Sequence, residues 1–381
     1  MTGIKTILAE KNLDCGADSW QKQFEAVTAA EVERALTTPT GSYSFDKLLA
    51  LISPAAEDYL EQMAQLAHQL TVQRFGRTIR LYAPLYLSNY CVNSCRYCGF
   101  NRQNKFEPKR LTIEQALADA DIIASEGFRD ILLVSGEDRK FISIDFLAKL
   151  TEALKDRFGF VAIETYQMSE PEYAELFKAG VEGVTLYQET YDRNAYAYYH
   201  PAGPKSDYDN RLTALDNAAS AGMREIGLGA LLGLTAWRTE TLALAEHAHY
   251  LIKRYWQSHI SFSFPRLRPA YNVGTLQFEH PLTDKNLTQM IIALRLCFAD
   301  AGMTLSTREP AQLRDHLIKL GITRISAGSK TSPGGYSQPT GSVEQFEVND
   351  TRSPAEVAAV IKSQGFEPVW KDWDKAFLLN R

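Results

Sequence analysis

The sequence predicts an α/β protein whose core is a TIM-type (β/α)8 barrel, extended by N-terminal helices and closed by a C-terminal capping tail. Three observations predict it. Short apolar strands alternate with amphipathic helices eight times over about 250 residues, the size of a single barrel. The helical patterns run into Gly127, Gly180, Gly222, Gly302 and Gly321 just ahead of the next strand, where a left-handed residue ends a helix. The same alternation permits an open doubly wound sheet, but no Gly-x-Gly-x-x-Gly follows the first strand, so a dinucleotide fold lacks its usual support. The expected division is a helical extension over 1–78, the barrel over 79–330 and the cap over 331–381.

Taken in order, residues 31–36 and 59–67 place apolar side chains near i, i+3, i+4 and i+7, the stripe of a helix. Pro54 fits the first turn of the second, where its missing N–H costs little. The expected strands are 81–87, 131–134, 161–164, 183–188, 226–231, 260–264, 304–307 and 324–327. Helical stretches such as 112–126 and 283–300 fill the gaps. Trp370 and Trp373 are expected to plug or cap the barrel.

Of the 381 residues, 45% are hydrophobic and 23% charged, ample for a large core. A net charge of -5 gives no electrostatic footprint for nucleic acid. No apolar run has transmembrane length, and Met1–Glu10 lacks the apolar centre of a secretory leader, so a cytoplasmic location is expected and no membrane partner. Five cysteines, at 15, 91, 95, 98 and 297, are an odd number, which argues against a disulfide framework. Cys297 lies in an apolar helical stretch and reads as a small buried hydrophobe. Cys15 lies in a polar stretch without an obvious partner.

Cys91, Cys95 and Cys98 form a Cys-x3-Cys-x2-Cys run just past the first strand, at the barrel end where active sites are built. Three thiolates so close can converge on one centre. Iron–sulfur clusters commonly take four cysteines, so a three-cysteine site leaves one iron open to another ligand. The alternative is zinc, which wants four closed ligands. No second Cys-x-x-Cys exists, and His200, His247, His249 or His259 would have to complete the site through folding.

This spacing, with Tyr97 just before the last cysteine, resembles the signature of the radical S-adenosylmethionine (SAM) enzymes. Residues 84–89, 187–191, 264–269, 305–309 and 369–374 are similar to one subgroup, the aromatic amino-acid lyases, from about residue 30 to 375. Within it they look most like the tyrosine lyases of thiamine thiazole formation. The resemblance implies a [4Fe-4S] cluster on Cys91, Cys95 and Cys98 whose open iron chelates SAM. One electron then releases methionine and a 5'-deoxyadenosyl radical, which abstracts hydrogen from L-tyrosine. The Cα–Cβ bond breaks to give 2-iminoacetate and p-cresol. Implied partners are a reduced flavodoxin or ferredoxin-type donor and a thiazole synthase.

The resemblance also distributes roles. Ser135-Gly136-Glu137 would receive the methionyl amine, Tyr97 would sit beside the cosubstrate, and Glu164, Gln188 and Glu189 would bind its ribose or methionyl part. Gly229, in a run with Gly227 and Gly233, would let backbone approach the adenine, unless the run serves tight packing. Arg308 would hold the tyrosine carboxylate in two-point fashion, with Ser326 adding a hydrogen bond and Tyr86 lining the pocket. Arg266 and Arg268 are second candidates for substrate or adenosine. A rim salt bridge to Glu309 or Asp315 is the competing reading of Arg308. At the level of function the alternatives are a tryptophan lyase of the same family and, from another class, a zinc-stabilised binding protein. The tyrosine lyases of hydrogenase assembly carry a second cysteine triplet, and no cysteine follows Cys297 here.

Overall fold

A computed structural model describes residues 2–273, 280–338 and 341–372, with the side chains of residues 17 and 18 excepted. Eight parallel strands close on themselves: β1 (Thr78–Ser88), β2 (Asp130–Ser135), β3 (Phe160–Glu164), β4 (Gly183–Thr185), β5 (Glu225–Gly229), β6 (His259–Ser263), β7 (Gly302–Leu305) and β8 (Arg324–Ser326). β8 pairs back onto β1, with Leu81 opposite Ile325, and β1 pairs with β2, with Leu85 opposite Leu133. These are the eight strands expected from the sequence, with ends that agree to within three residues. The doubly wound alternative is thereby excluded.

Side chains alternate across each strand because the backbone repeat is two. On β1, Leu81, Ala83, Leu85 and Leu87 face the helices and join a core that runs from Ile4 to Phe366. Tyr82 and Tyr86 face inward and pack with Leu132, Val134, Phe160, Ala162 and Phe100 in a second cluster, against which Cys91 and Cys98 rest. The barrel interior is therefore aromatic, and the cysteine loop sits on top of it.

Gly127, Gly180, Gly222 and Gly321 end or follow helices with positive φ, as expected; at Gly180 (φ +112°) the amide closes the last turn onto Leu176 O and Phe177 O. Gly302 differs. Its helix, Asp284–Cys297, ends five residues earlier, and Gly302 is the first residue of β7. A Cβ there would lie 2.8 Å from Ser261 Oγ, so the glycine answers to packing between strands.

The tail adds a ninth strand. Residues 367–369 form β9 (Glu367–Val369), a parallel partner for Thr78–Arg80 at the start of β1. Trp370 packs there against Phe128, with ring centroids 5.2 Å apart, and so seals the floor of the barrel. Trp373 and Asp374 lie outside the described residues. The mouth is covered instead by residues 342–346: Gly99 N donates to Gln345 O at 3.2 Å, and Phe346 is buried.

Four charges complete the floor. Arg324 reaches Glu225 at 2.6 Å and Asp130 at 2.8 Å, and Arg80 reaches Glu225 at 2.8 Å and pairs with Asp130 as well. Cys297 is buried and Cys15 exposed. Among the described residues no helix is long and apolar enough to cross a membrane.

Candidate active site

The site begins where β1 ends. Ser88 Oγ accepts from Tyr90 N at 3.1 Å and Ser88 O from Gly136 N at 3.0 Å, which turns the chain over the end of β2. The cysteine loop is then pinned from two sides. Val92 N donates to Glu137 O at 3.1 Å, while Ser94 N and Arg96 N donate to Ala202 O and Tyr199 O at 2.9 and 3.0 Å. Gly136 is required by this packing: a Cβ would meet Tyr90 O at 2.3 Å and Cys91 Cβ at 3.0 Å.

Cys91 Sγ receives two N–H groups, Glu137 N at 3.4 Å and Asn93 Nδ2 at 3.6 Å. Donors aimed at sulfur favour the thiolate. Burial works the other way and pushes all three thiols up, Cys98 to about 11 and Cys95 further. Proton release must therefore accompany metal binding. Asn93 Nδ2 also donates to Glu137 Oε2 at 2.8 Å, while buried Glu137 Oε1 accepts no hydrogen bond and lies 3.8 Å from Arg139 Nε.

The three cysteines open onto a cleft of about 930 Å3, its mouth included, whose wall also carries Tyr97, Ser135, Gly136, Glu137, Glu164, Glu189, Arg268 and Arg308. A second space of about 540 Å3 continues down the barrel axis and is lined by Tyr86, Ser326, Tyr82 and Tyr187. Glu164, Arg308 and Phe346 line both, so they stand at the junction. Tyr86 donates its hydroxyl to Gln345 Oε1 at 2.7 Å, and Ser326 Oγ accepts from Thr307 N at 3.2 Å.

Arg308 has no carboxylate within ion-pair distance among the described residues. Its guanidinium lies 3.4 Å from the centre of the Phe346 ring. The carboxylates that could have claimed it are taken: Glu309 pairs with Arg266 and Arg268, and Asp315 with Arg352. The rim salt bridge is thus absent. Glu164 is pushed up to about 7, because burial outweighs the opposing field of Arg308.

Glu189 behaves in the opposite sense. Burial raises it, but Lys205 at 2.5 Å and Arg211 at 3.8 Å hold it below its ordinary range. Its backbone is left-handed (φ +71°), uncommon for a side chain of this size and a local strain held by the ion pair and by Leu231 N on its carbonyl at 2.7 Å. His200 Nδ1 meets a carbonyl, Tyr196 O, so that nitrogen carries the proton and Nε2 accepts from Tyr97 OH at 2.8 Å. Burial lowers His200 to about 3, so the ring is neutral.

Three expected site residues lie off the cavity. Arg266 is saturated by Glu309, by Asp284 at 2.8 Å and by Leu282 O at 3.1 Å. Gln188 is buried and its amide faces no partner. Gly229 packs tightly, since a Cβ would come within 2.9 Å of the Tyr187 ring and 2.8 Å of Ser263 O. Conversely, Asn93, Lys205, Arg211, Tyr187, Gln345 and Phe346 line the cleft without having been singled out for it. Asn93 had a usable signal, its place between two ligating cysteines. Lys205 and Gln345 had none, being polar residues in polar loops.

The donor set suits an iron–sulfur cluster better than zinc. Both nitrogens of His200 are engaged, His247 Nδ1 is bonded to Tyr191 OH at 3.0 Å, His249 packs at a tilt against Tyr43, and His259 Nε2 lies against Asp300 O at the opposite end of the barrel. Three thiols on one loop, without a fourth ligand, match a cluster with one open iron.

Comparison with known proteins agrees with this chemistry. Residues 85–248 match the model of the Radical SAM superfamily and residues 263–367 that of the biotin and thiamin synthesis associated domain. The chain is 44% identical over 358 residues to the 2-iminoacetate synthase of Salmonella typhimurium and 43% identical to that of Escherichia coli K12, covering 94% of both partners in each case. Among solved structures, HydG, a maturase of the [FeFe]-hydrogenase, superposes with a TM-score of 0.86 at 33% identity, over 94% of this chain and 81% of HydG.

Proposed function

Since this chain belongs to the 2-iminoacetate synthase family of radical SAM lyases, we propose that its cleft binds SAM beside a [4Fe-4S] cluster on Cys91, Cys95 and Cys98, and that the adjoining chamber binds L-tyrosine. The enzyme cleaves the Cα–Cβ bond of tyrosine to 2-iminoacetate and p-cresol, with SAM converted to methionine and 5'-deoxyadenosine, for the thiazole of thiamine. The observation that carries the reading is the continuity between the three thiols and the unpaired Arg308 through one cleft.

The bound cluster would supply the single electron that opens the sulfonium of SAM. The chain's residues do the rest. Glu137 Oε1, buried without a hydrogen bond, would accept from the methionyl ammonium, a charge-assisted contact in a dry site. Arg308 would take the tyrosine carboxylate, and Ser326 and Tyr86 would bound the chamber below it. Aromatic walls and the 342–346 cover exclude water, which protects a radical from quenching. The electron donor would be a reduced flavodoxin or ferredoxin, and the imine would pass to a thiazole synthase, in a reducing cytoplasm.

The test is anaerobic reconstitution with iron and sulfide, reduction, and addition of SAM and tyrosine. Deoxyadenosine and p-cresol together are expected. Deoxyadenosine formed with tryptophan and not with tyrosine would transfer the reading to a tryptophan lyase. Neither product from protein with a reducible cluster would overturn it.

A further inference from the structure

A second groove runs along the outer side of the cysteine loop. It encloses about 770 Å3, mouth included, and is lined by Tyr90, Cys91, Phe100, Arg102 and Phe106 among others. Cys91 and Phe100 line both this groove and the substrate cleft, so one layer of side chains separates the outer surface from the cluster ligands. The 342–346 segment covers the substrate side, where the cosubstrate would bind, whereas the outer groove borders Cys91 directly.

Its charge is opposite to that of the chain. Residues 96–110 carry Arg96, Arg102, Lys105, Lys109 and Arg110 against Glu107 alone, in a protein of net charge -5. Arg110 is paired with Asp138 at 2.5 Å, and Lys109 donates to Gln338 Oε1 at 3.2 Å. Arg96, Arg102 and Lys105 form no ion pair with a carboxylate among the described residues, while Glu137 and Glu344 also lie beside the loop, their carbonyls on Val92 N and over Gly99.

Exposed aromatics gather on the same face. Of the five large hydrophobic side chains exposed among the described residues, Tyr198 lies under Arg96 at 4.2 Å, Tyr271 packs edge-on to Phe106 at 6.0 Å, and Phe141 lies 5.7 Å from Arg110. Ile252 and Trp256 lie at the floor end, ahead of β6. A basic collar with a few aromatic contacts is the anatomy of a weak, steered encounter. Redox partners use such small interfaces, where charge sets the encounter rate more than the affinity.

We propose that the cysteine-loop face, with Arg96, Arg102 and Lys105 as its charges and Tyr198 and Tyr271 as its contacts, is the docking surface for an acidic one-electron donor protein. The proposal rests on the radical SAM reading above and names where reduction of that centre takes place.

The experiment compares two reductants on the reconstituted full-length enzyme: dithionite, and an acidic flavodoxin kept reduced by its reductase and NADPH. Deoxyadenosine formation is measured in wild type and in the double variant R102E/K105E. The variant should keep the dithionite-supported rate and raise the KM for flavodoxin about tenfold or more, as expected for reversal of two steering charges. R102K/K105R should behave as wild type. In wild type alone, added salt should raise the flavodoxin KM and leave the dithionite rate unchanged. An unchanged flavodoxin KM in R102E/K105E, or a salt-independent one in wild type, overturns the proposal, as does equal loss of both rates in the variant with a salt-independent wild type. Absence of dithionite-supported deoxyadenosine in wild type would sink the radical reading itself.

Discussion

Asn93 Nδ2 and Glu137 Oε2 are joined at 2.8 Å across 44 residues of sequence, one in the cysteine loop and the other just beyond the end of β2. The same amide nitrogen lies 3.6 Å from Cys91 Sγ, and Asn93 Oδ1 accepts from Lys205 N at 2.9 Å. One side chain thus fixes a cluster ligand, a carboxylate for the cosubstrate and the loop bearing Lys205.

Asn93→Ala should therefore weaken SAM binding about tenfold, the loss of a hydrogen bond that orients a charged group. It should also move the cluster potential to more negative values, since donors to sulfur stabilise the reduced state. Isothermal titration with SAM and a redox titration followed by EPR check the two effects. Unaltered affinity and potential would remove Asn93 from the site.

Replacement of Cys91, Cys95 or Cys98 by Ala should abolish the iron–sulfur absorbance and reduce deoxyadenosine to background, while far-UV circular dichroism stays native. Cys297→Ala should leave the absorbance intact. A cluster retained at full occupancy in all three loop variants would disprove the assignment.

Arg308→Ala should raise the KM for tyrosine by roughly 10- to 100-fold, the range for loss of a charge-assisted pair. The cluster spectrum should not change. Arg308→Lys should recover part of the loss, because a point charge replaces a two-point fork. Steady-state p-cresol formation against tyrosine concentration decides this.

Glu164 titrates at about 7, raised by burial, so the chamber changes charge near neutrality. As pH rises through that value, the carboxylate forms and competes with tyrosine for Arg308. Tyrosine affinity should fall across this range, and Glu164→Gln should abolish the fall. The folded state also binds the proton more tightly than the unfolded one, so Glu164 favours folding at low pH and that contribution is lost as pH rises through about 7. Tm against pH in wild type and in Glu164→Gln checks the second effect.

Glu225 at the barrel floor has the reverse sign. Burial raises it, but Arg324 and Arg80 outweigh burial and hold it at about 2. Its contribution to stability is full above its unfolded value and lost as pH falls towards 2. Glu225→Gln leaves two buried guanidinium groups short of a partner and should cost about 3–5 kcal/mol at neutral pH. Urea unfolding measures it, and the acid limb of the stability profile should become shallower in the variant.

The sequence by itself determined the barrel and the cysteine triplet. Both are local: a two-residue repeat marks a strand, glycine after a helical stripe marks its end, and Cys-x3-Cys-x2-Cys brings three thiols together on one short loop. The tertiary structure decided which charges share the cavity. Arg308 and Arg266 are alike in sequence, each an arginine just past a barrel strand, yet closure of the barrel gives Glu309 to Arg266 and Arg268 and leaves Arg308 open. Lys205 and Phe346 reach the cleft from distant loops, Gly229 and Gly302 answer to neighbouring strands, and residues 367–369 of the tail become β9 under the floor. Local periodicity follows from backbone geometry, which adjacent residues set; ion pairing falls off with distance in space, and only the closed fold sets that distance.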